Sequence, residues 1–242
     1  MVASTTVPEG YRRSRGVHPP VRFPAYASTR LRAPARPPVP LPFGLTEITG
    51  PRPAPGRVVA ADADLTRGHP GEPLGERIIV SGRVLDESGH PVAGTLVEIW
   101  QANAAGRYAH EVDRHRAPLD PNFRGAGRCL TGPGGEYRFL TVRPGAYPWG
   151  NHANAWRPAH IHFSVLGRAF AQRLVTQMYF PGDPLLDHDP IIASIADPAA
   201  RRRLVATWSE SLTEPEWALG YAWDIVLRGR EATPLGAGDE GA

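Results

Sequence analysis

Residues 156–163 read WRPAHIHF, which places His160 and His162 two apart in an apolar, β-prone run. On a strand, residues i and i+2 project to the same face. Two imidazoles on one face of a rigid strand make half of a metal site. Arg157 lies just upstream, where it would set a permanent positive charge beside that site. Tyr108 and Tyr147 stand in Gly/Pro-flanked loops from which they could complete it. The pair is followed by FSVLGR, without the carboxylate of a cupin-like site, and the chain has no HExxH zinc spacing.

A His pair on a strand is also explained by ordinary packing, and a single Tyr is more often a packed aromatic with its hydroxyl at the surface. The two together point elsewhere. Phenolate is a hard anionic donor that suits ferric iron better than a soft or divalent ion. A free Tyr titrates near pH ~10, so only a strongly Lewis-acidic cation deprotonates it at neutral pH. Two tyrosinates, two neutral imidazoles and a hydroxide would leave ferric iron nearly uncharged, so that it can be buried at little desolvation cost. The remaining histidines (His18, His69, His90, His110, His115, His152 and His188) sit in turns or loops without partners at ligand spacing, and read as non-ligands.

The elements that must position these groups are mostly strands. RIIVSGRVLD (77–86) and TLVEIWQAN (95–103) flank the turn-rich ESGHPVAG and predict a hairpin. EYRFLTV (136–142), AHIHFSVLG (159–167), RLVTQMYF (173–180) and YAWDIVLRG (221–229) predict further strands. DPAARRRLVATW (197–208) opens with an Asp–Pro start signal and predicts a helix. The expected fold is all-β: a β-sandwich core with a long, irregular, Pro-rich N-terminal arm and one or two short helices. Residues 1–75 are expected to be an extended arm on a partner subunit, 76–230 the catalytic β-sandwich, and 231–242 a flexible tail. PARPPVPLP (34–42) predicts polyproline-like chain. An arm packed over another surface explains it better than a PxxP ligand does.

The chain has 242 residues, enough for one large domain with an arm. No run of 18 apolar residues exists, so no transmembrane helix is expected, and the N-terminus lacks the apolar segment of a secretory signal. Cys129 is the single cysteine, which excludes an intrachain disulfide and makes a reducing cytoplasm the expected compartment. The net charge is +3, yet all 27 basic residues are scattered arginines, with RRR at 201–203 the one tight run. That pattern resembles codon bias more than a nucleic-acid surface.

Several motifs in fixed order carry a resemblance: VEIWQANAAGRYAH (97–110), LDPNFRGAGRCLT (119–131), RPGAYPWGN (143–151), WRPAHIHF (156–163) and LVTQMYFPGDP (174–184). They closely resemble the intradiol ring-cleaving dioxygenases, and within them the protocatechuate-cleaving branch. The likeness runs from about Glu76 to Arg230, and more loosely through HPP (18–20), PAY (24–26) and EITGP (47–51) in the arm. It implies a β-sandwich holding one non-haem Fe(III) per chain through Tyr108, Tyr147, His160 and His162. Tyr147 and His162 would be axial, and Tyr108 and His160 equatorial. It implies an α subunit partner that has lost the ligand set, which would make this chain the iron-bearing one. It further implies cleavage of protocatechuate with O2 to 3-carboxy-cis,cis-muconate, in the β-ketoadipate pathway of aromatic degradation.

In that reading Tyr147 is both ligand and base. Arg157 stabilises the carbanion or ketonised form of the substrate. Trp149 and Ile191 would hold the flat ring, Gln177 would lie near the O2 and intermediate site, and Tyr26 near the substrate carboxylate. His152 in GNHANA (150–155) departs from the expected small or polar residue. Two other readings remain at this point. The same chemistry would act on catechol, hydroxyquinol or another diol, although relatives acting on plain catechol carry a helical N-terminal region that this Pro-rich arm lacks. A metal-free, transthyretin-like β-sandwich binding module is the alternative from another class.

Overall fold

The computed structural model of the chain describes residues 16–32, 57–153, 156–166 and 173–236. The expected polyproline segment at 34–42 and the EITGP motif at 47–51 lie outside the described residues. Eleven strands follow in chain order: β1 (Arg77–Leu85), β2 (Leu96–Trp100), β3 (Ala126–Leu130), β4 (Glu136–Val142), β5 (Tyr147–Pro148), β6 (Trp156–Arg157), β7 (His160–Leu166), β8 (Arg173–Tyr179), β9 (Thr207–Trp208), β10 (Leu219–Ala222) and β11 (Ile225–Val226). Among the described residues short helices accompany them, α1 (Thr29–Arg32), α2 (Pro190–Ala193) and α3 (Pro198–Arg202).

The strands form two principal sheets and a small ladder. In the first sheet β1 is central, paired antiparallel with β4 on one side and parallel with β10 and β11 on the other, and β9 extends it beyond β10. The second sheet runs β3-β2-β7-β8, antiparallel throughout. Facing side chains from both sheets, including Ile78, Val80, Phe139, Val97, Ile99, Ile161, Phe163 and Val165, pack into one core. The Phe163 ring centres that core, with ring centroids 4.8 Å from Trp223, 5.7 Å from Tyr137 and 6.3 Å from Phe139. The β-sandwich is therefore as expected.

β7 shows how the core and the chemistry share one strand. Ile161, Phe163 and Val165 take the core face, while His160, His162 and Ser164 take the other, and all six are buried. Burial on both faces is why this run lacks the polar alternation of a half-exposed strand.

Three expectations about secondary-structure elements change. The 77–86 and 95–103 runs do not form a hairpin: β1 and β2 lie in different sheets. A turn does start, with Asp86 N–H donating to His90 C=O (2.9 Å) and a bridge between Leu85 and Pro91. The pairing runs on to Val92, whose N–H donates to Val84 C=O (2.9 Å), and goes no further because both flanks of β1 are already filled by β4, β10 and β11. The helix expected over 197–208 ends at Arg202. Beyond it Leu204 and Ala206 bond the backbone of Tyr179, and Thr207–Trp208 join the first sheet, so tertiary pairing overrides local helix preference. The late strand expected over 221–229 is two short strands. The break lies at Trp223, whose C=O accepts the Tyr137 hydroxyl (2.5 Å), and at Asp224, whose carboxylate accepts the Arg83 N–H (2.8 Å).

Both ends of the described chain lie against this sandwich. Asp197 N–H bonds Gly16 C=O (3.1 Å), and Ala27 N–H bonds Asn151 C=O (2.8 Å). The start of the expected flexible tail is packed: Ala232 and Thr233 are buried, Gly236 N–H donates to Val175 C=O (2.8 Å), and Thr176 Oγ1 donates to Pro234 C=O (2.7 Å). Ala232 joins the main core, which supplies the apolar burial that a free tail would lack.

Candidate metal centre

Two loops and two ladders carry the candidate residues to one place. After β2 the chain turns through Asn103, whose Oδ1 accepts the N–H groups of Ala105 (3.0 Å) and Arg107 (2.9 Å) and so sets the entry to Tyr108. Asp113 Oδ2 accepts the Tyr108 N–H (2.8 Å). This loop touches the one before Tyr147 at two glycines. A Cβ on Gly106 would stand 2.1 Å from Ala146 O, and one on Gly145 would stand 2.5 Å from Ala104 O. That contact brings the Tyr108 and Tyr147 rings edge to face, 5.4 Å between centroids. The β5–β6 ladder pairs Tyr147 directly with Arg157. In the second sheet His162 lies opposite Gln177 on one side and Trp100 on the other, while His160 lies opposite Tyr179.

The four candidate donors converge. Tyr147 Oη is 3.3 Å from His160 Nε2, His160 Nε2 is 3.2 Å from His162 Nε2, and His162 Nε2 is 3.1 Å from Tyr108 Oη. His160 Nδ1 donates to Pro158 C=O (2.8 Å), and Arg157 Nη1 donates to His160 Nε2 (3.1 Å), so that Nε2 carries a lone pair. Burial foremost, then the Arg157 charge, holds both imidazoles neutral: His160 lies well below the ordinary histidine value, and His162 is pushed down to about 3.

This donor set fits a metal ion. Ligands about 2.0–2.2 Å from one ion, at near-right angles, lie about 2.8–3.1 Å apart, and the spacings here are slightly wider, 3.1–3.3 Å. A cation also suits the convergence of two neutral ring nitrogens and two phenol oxygens on one point. Among the described residues no group of three His, Cys, Asp or Glu is arranged to hold a metal.

Around the donors the predicted pocket residues separate into two groups. Tyr26, Trp149 and Ile191 form a small buried cluster with Tyr147 and Ala102, and Tyr108 and Phe23 pack against it. Tyr26 and Trp149 are 4.8 Å apart, ring to ring. Gln177 instead belongs to the surroundings of Arg157. Arg157 is fully buried, lies 5.0 Å over the Trp149 ring, and donates from Nη2 to Gln177 Oε1 (2.6 Å), Tyr179 Oη (2.8 Å) and Asp189 Oδ2 (2.8 Å). His152 lies 5.6 Å from Trp149, and burial foremost lowers its pKa, so it is a neutral neighbour of the pocket.

Three residues here were missed in the sequence. Trp100 stacks on His162, with centroids 4.8 Å apart and planes 6° apart. Tyr179 lies beside His160, and burial, then Asp189, holds its phenol well above the ordinary tyrosine value, so it remains a hydroxyl donor. Asp189 is buried against Arg157. Tyr179 had a visible signal, being two residues from Gln177 on one strand face, whereas Trp100 and Asp189 depend on register and long-range packing.

Comparison with known proteins places this architecture in a class. Residues 48–229 match the family described as Dioxygenase, and residues 11–42 match Protocatechuate 3,4-dioxygenase beta subunit N terminal. The chain belongs to the intradiol dioxygenase family. Within that family it is 60% identical over 220 residues to the protocatechuate 3,4-dioxygenase beta chain of Burkholderia cepacia, covering 90% of this chain and 93% of that one. It is 30% identical over 161 residues to the protocatechuate 3,4-dioxygenase alpha chain of Pseudomonas putida, covering 66% and 75%. Among solved structures, the dioxygenase domain of a dioxygenase carbohydrate-binding protein fusion from Streptomyces sp. SirexAA-E superposes with a TM-score of 0.51 at 26% identity, covering 74% of this chain and 97% of that one.

Proposed function

We propose that this chain is the iron-bearing subunit of an intradiol dioxygenase that cleaves protocatechuate between its hydroxylated carbons. The observation that carries the proposal is the convergence of two tyrosine hydroxyls and two neutral imidazoles beside a buried arginine. Tyr108, Tyr147, His160 and His162 would hold one non-haem Fe(III). When bound, ferric iron supplies Lewis acidity that favours the deprotonated diol and accepts electron density from its ring.

The chain's own groups account for the rest. Tyr147 takes a substrate hydroxyl proton at its phenolate oxygen, 3.4 Å from Arg157 Nη1. The Arg157 charge stabilises the anionic, ketonised substrate without itself exchanging a proton. Trp149 and Ile191, which cluster with Tyr147, would confine the flat ring, and Tyr26, packed on Trp149, would meet the ring carboxylate. Gln177 accepts from the guanidinium and would lie near the site of O2 and the intermediate. The match to an alpha chain supports an α-type partner. Among the described residues no helix is long and apolar enough to cross a membrane.

Oxygen uptake and product identification test this reading. The chain assembled with an α-type subunit should consume one O2 per protocatechuate and release 3-carboxy-cis,cis-muconate. A muconate formed from catechol or hydroxyquinol, with none from protocatechuate, would keep the chemistry and overturn the substrate.

A further inference from the structure

Asp189 stands outside the four-donor cluster, at the N-cap of α2, and its side chain has no solvent exposure. Its two oxygens do different work. Oδ1 accepts the Ile191 N–H (2.7 Å), which caps the helix that carries the pocket wall. Oδ2 accepts from Arg157 Nε (3.2 Å) and Nη2 (2.8 Å). Gln177 Oε1 and Tyr179 Oη take the same Nη2, and they bond each other (2.7 Å). The Nε/Nη2 edge of the guanidinium is thus held on the side away from the donors. Nη1 is the nitrogen left facing Tyr147 Oη (3.4 Å) and His160 Nε2 (3.1 Å).

We propose that Asp189 is a positioning residue: it ties the Nε/Nη2 edge of Arg157 to the helix bearing Ile191 and so fixes that Nη1 faces the reacting atoms. The proposal rests on the function proposed above. Gln177 and Tyr179 are neutral and could accept a guanidinium in more than one orientation. The carboxylate supplies the matching charge, and its second oxygen is pinned by the helix cap, so it has one place to stand. The same side chain then sets the distance between the charge that stabilises the substrate anion and the wall that holds its ring.

Asp189→Asn separates the two roles. The amide oxygen keeps the cap on Ile191, while the amide NH2 faces guanidinium N–H groups, donor against donor. In the assembled holoenzyme, D189N should keep iron and visible absorption, lose about 10²-fold in kcat, the scale for misplacing one electrostatic stabiliser, and change KM little. Asp189→Ala should in addition raise KM, because the Ile191 helix loses its cap. In a background of Arg157→Gln, D189N should cause no further loss of kcat, since no guanidinium remains to be aimed. The iron-free chain gives a second readout: D189N should lower its thermal midpoint with Arg157 present and not with R157Q. Should D189N alone fail to fold, the R157Q/D189N double variant decides, because it carries no unpaired charge. Activity equal to R157Q upholds the coupling. Wild-type kcat in D189N, or losses that multiply in the double variant, overturn it. A wild-type chain with no visible band after iron loading overturns the underlying function, and this proposal with it.

Discussion

A guanidinium with no solvent contact must be matched in charge and in planar shape, or its burial is costly. Arg157 meets both conditions through Asp189, Gln177 and Tyr179, which leaves one nitrogen for the candidate centre. Arg157→Ala strands the Asp189 carboxylate, so unfolding titrations should show a loss of about 3–5 kcal/mol together with most of the turnover, while tyrosinate absorption persists. Unchanged stability would mean that the buried pair is not formed. Tyr108→Phe makes the complementary case, because Tyr108 is half-buried and its hydroxyl meets His162 Nε2 at 3.1 Å. That variant should fold normally yet show a weaker or blue-shifted visible band and slower turnover, and an unaltered spectrum would remove Tyr108 from the ligand set. The imidazole pair was legible in the sequence because i, i+2 spacing on a strand fixes a shared face, whereas the two tyrosines stood out through the family resemblance. Asp189 was not, since a lone Asp–Pro pair reads only as a helix start, and its partner lies 32 residues away in sequence.

At the scale of elements, the site depends on contact between backbones as much as on side chains. Gly106 has φ +78°, and the space a Cβ would fill is occupied by Ala146 O. Gly106→Ala adds about 1–2 kcal/mol of left-handed backbone strain to that clash. The Tyr108 loop should then separate from the Tyr147 loop. The expected result is a lower melting temperature and substoichiometric iron after reconstitution, measured by metal analysis; full iron occupancy would show that the loops need not touch. β4 was read with its observed bounds, and β7 and β8 within a residue or two, because β-branched and aromatic runs between turns are strong local signals. The hairpin was misread because pairing is not local. β1 finds its neighbours at Glu136–Val142 and from Leu219 onward, and these leave no free flank for the nearer run.

For the whole molecule, two buried imidazoles give the iron-free chain a directional pH dependence. Both folded-state pKa values lie below the unfolded value, with His162 at about 3. Below pH ~6.5 the unfolded chain therefore binds protons that the folded chain refuses, so stability is complete above that value and falls as pH drops toward 3. Within this window each such His removes about 1.4 kcal/mol per pH unit. Chemical denaturation of the iron-free chain should give a lower unfolding free energy at pH 5 than at pH 7, and equal values would place the imidazoles in contact with water. The sandwich as a whole was legible from the spacing of strands and turns. The crossings between sheets, the packed residues 232–236 and the arm's seat beside the pocket were not, because each is fixed by burial against distant segments.

The central claim is that Tyr108, Tyr147, His160 and His162 hold ferric iron that the substrate engages directly. It is tested most directly by the visible absorption spectrum of the purified, iron-loaded protein, before and after anaerobic addition of protocatechuate. The account predicts a broad tyrosinate-to-Fe(III) band that shifts when protocatechuate is added. A protein that stays colourless after ferrous loading in air would contradict it, and would leave a β-sandwich without the metal chemistry.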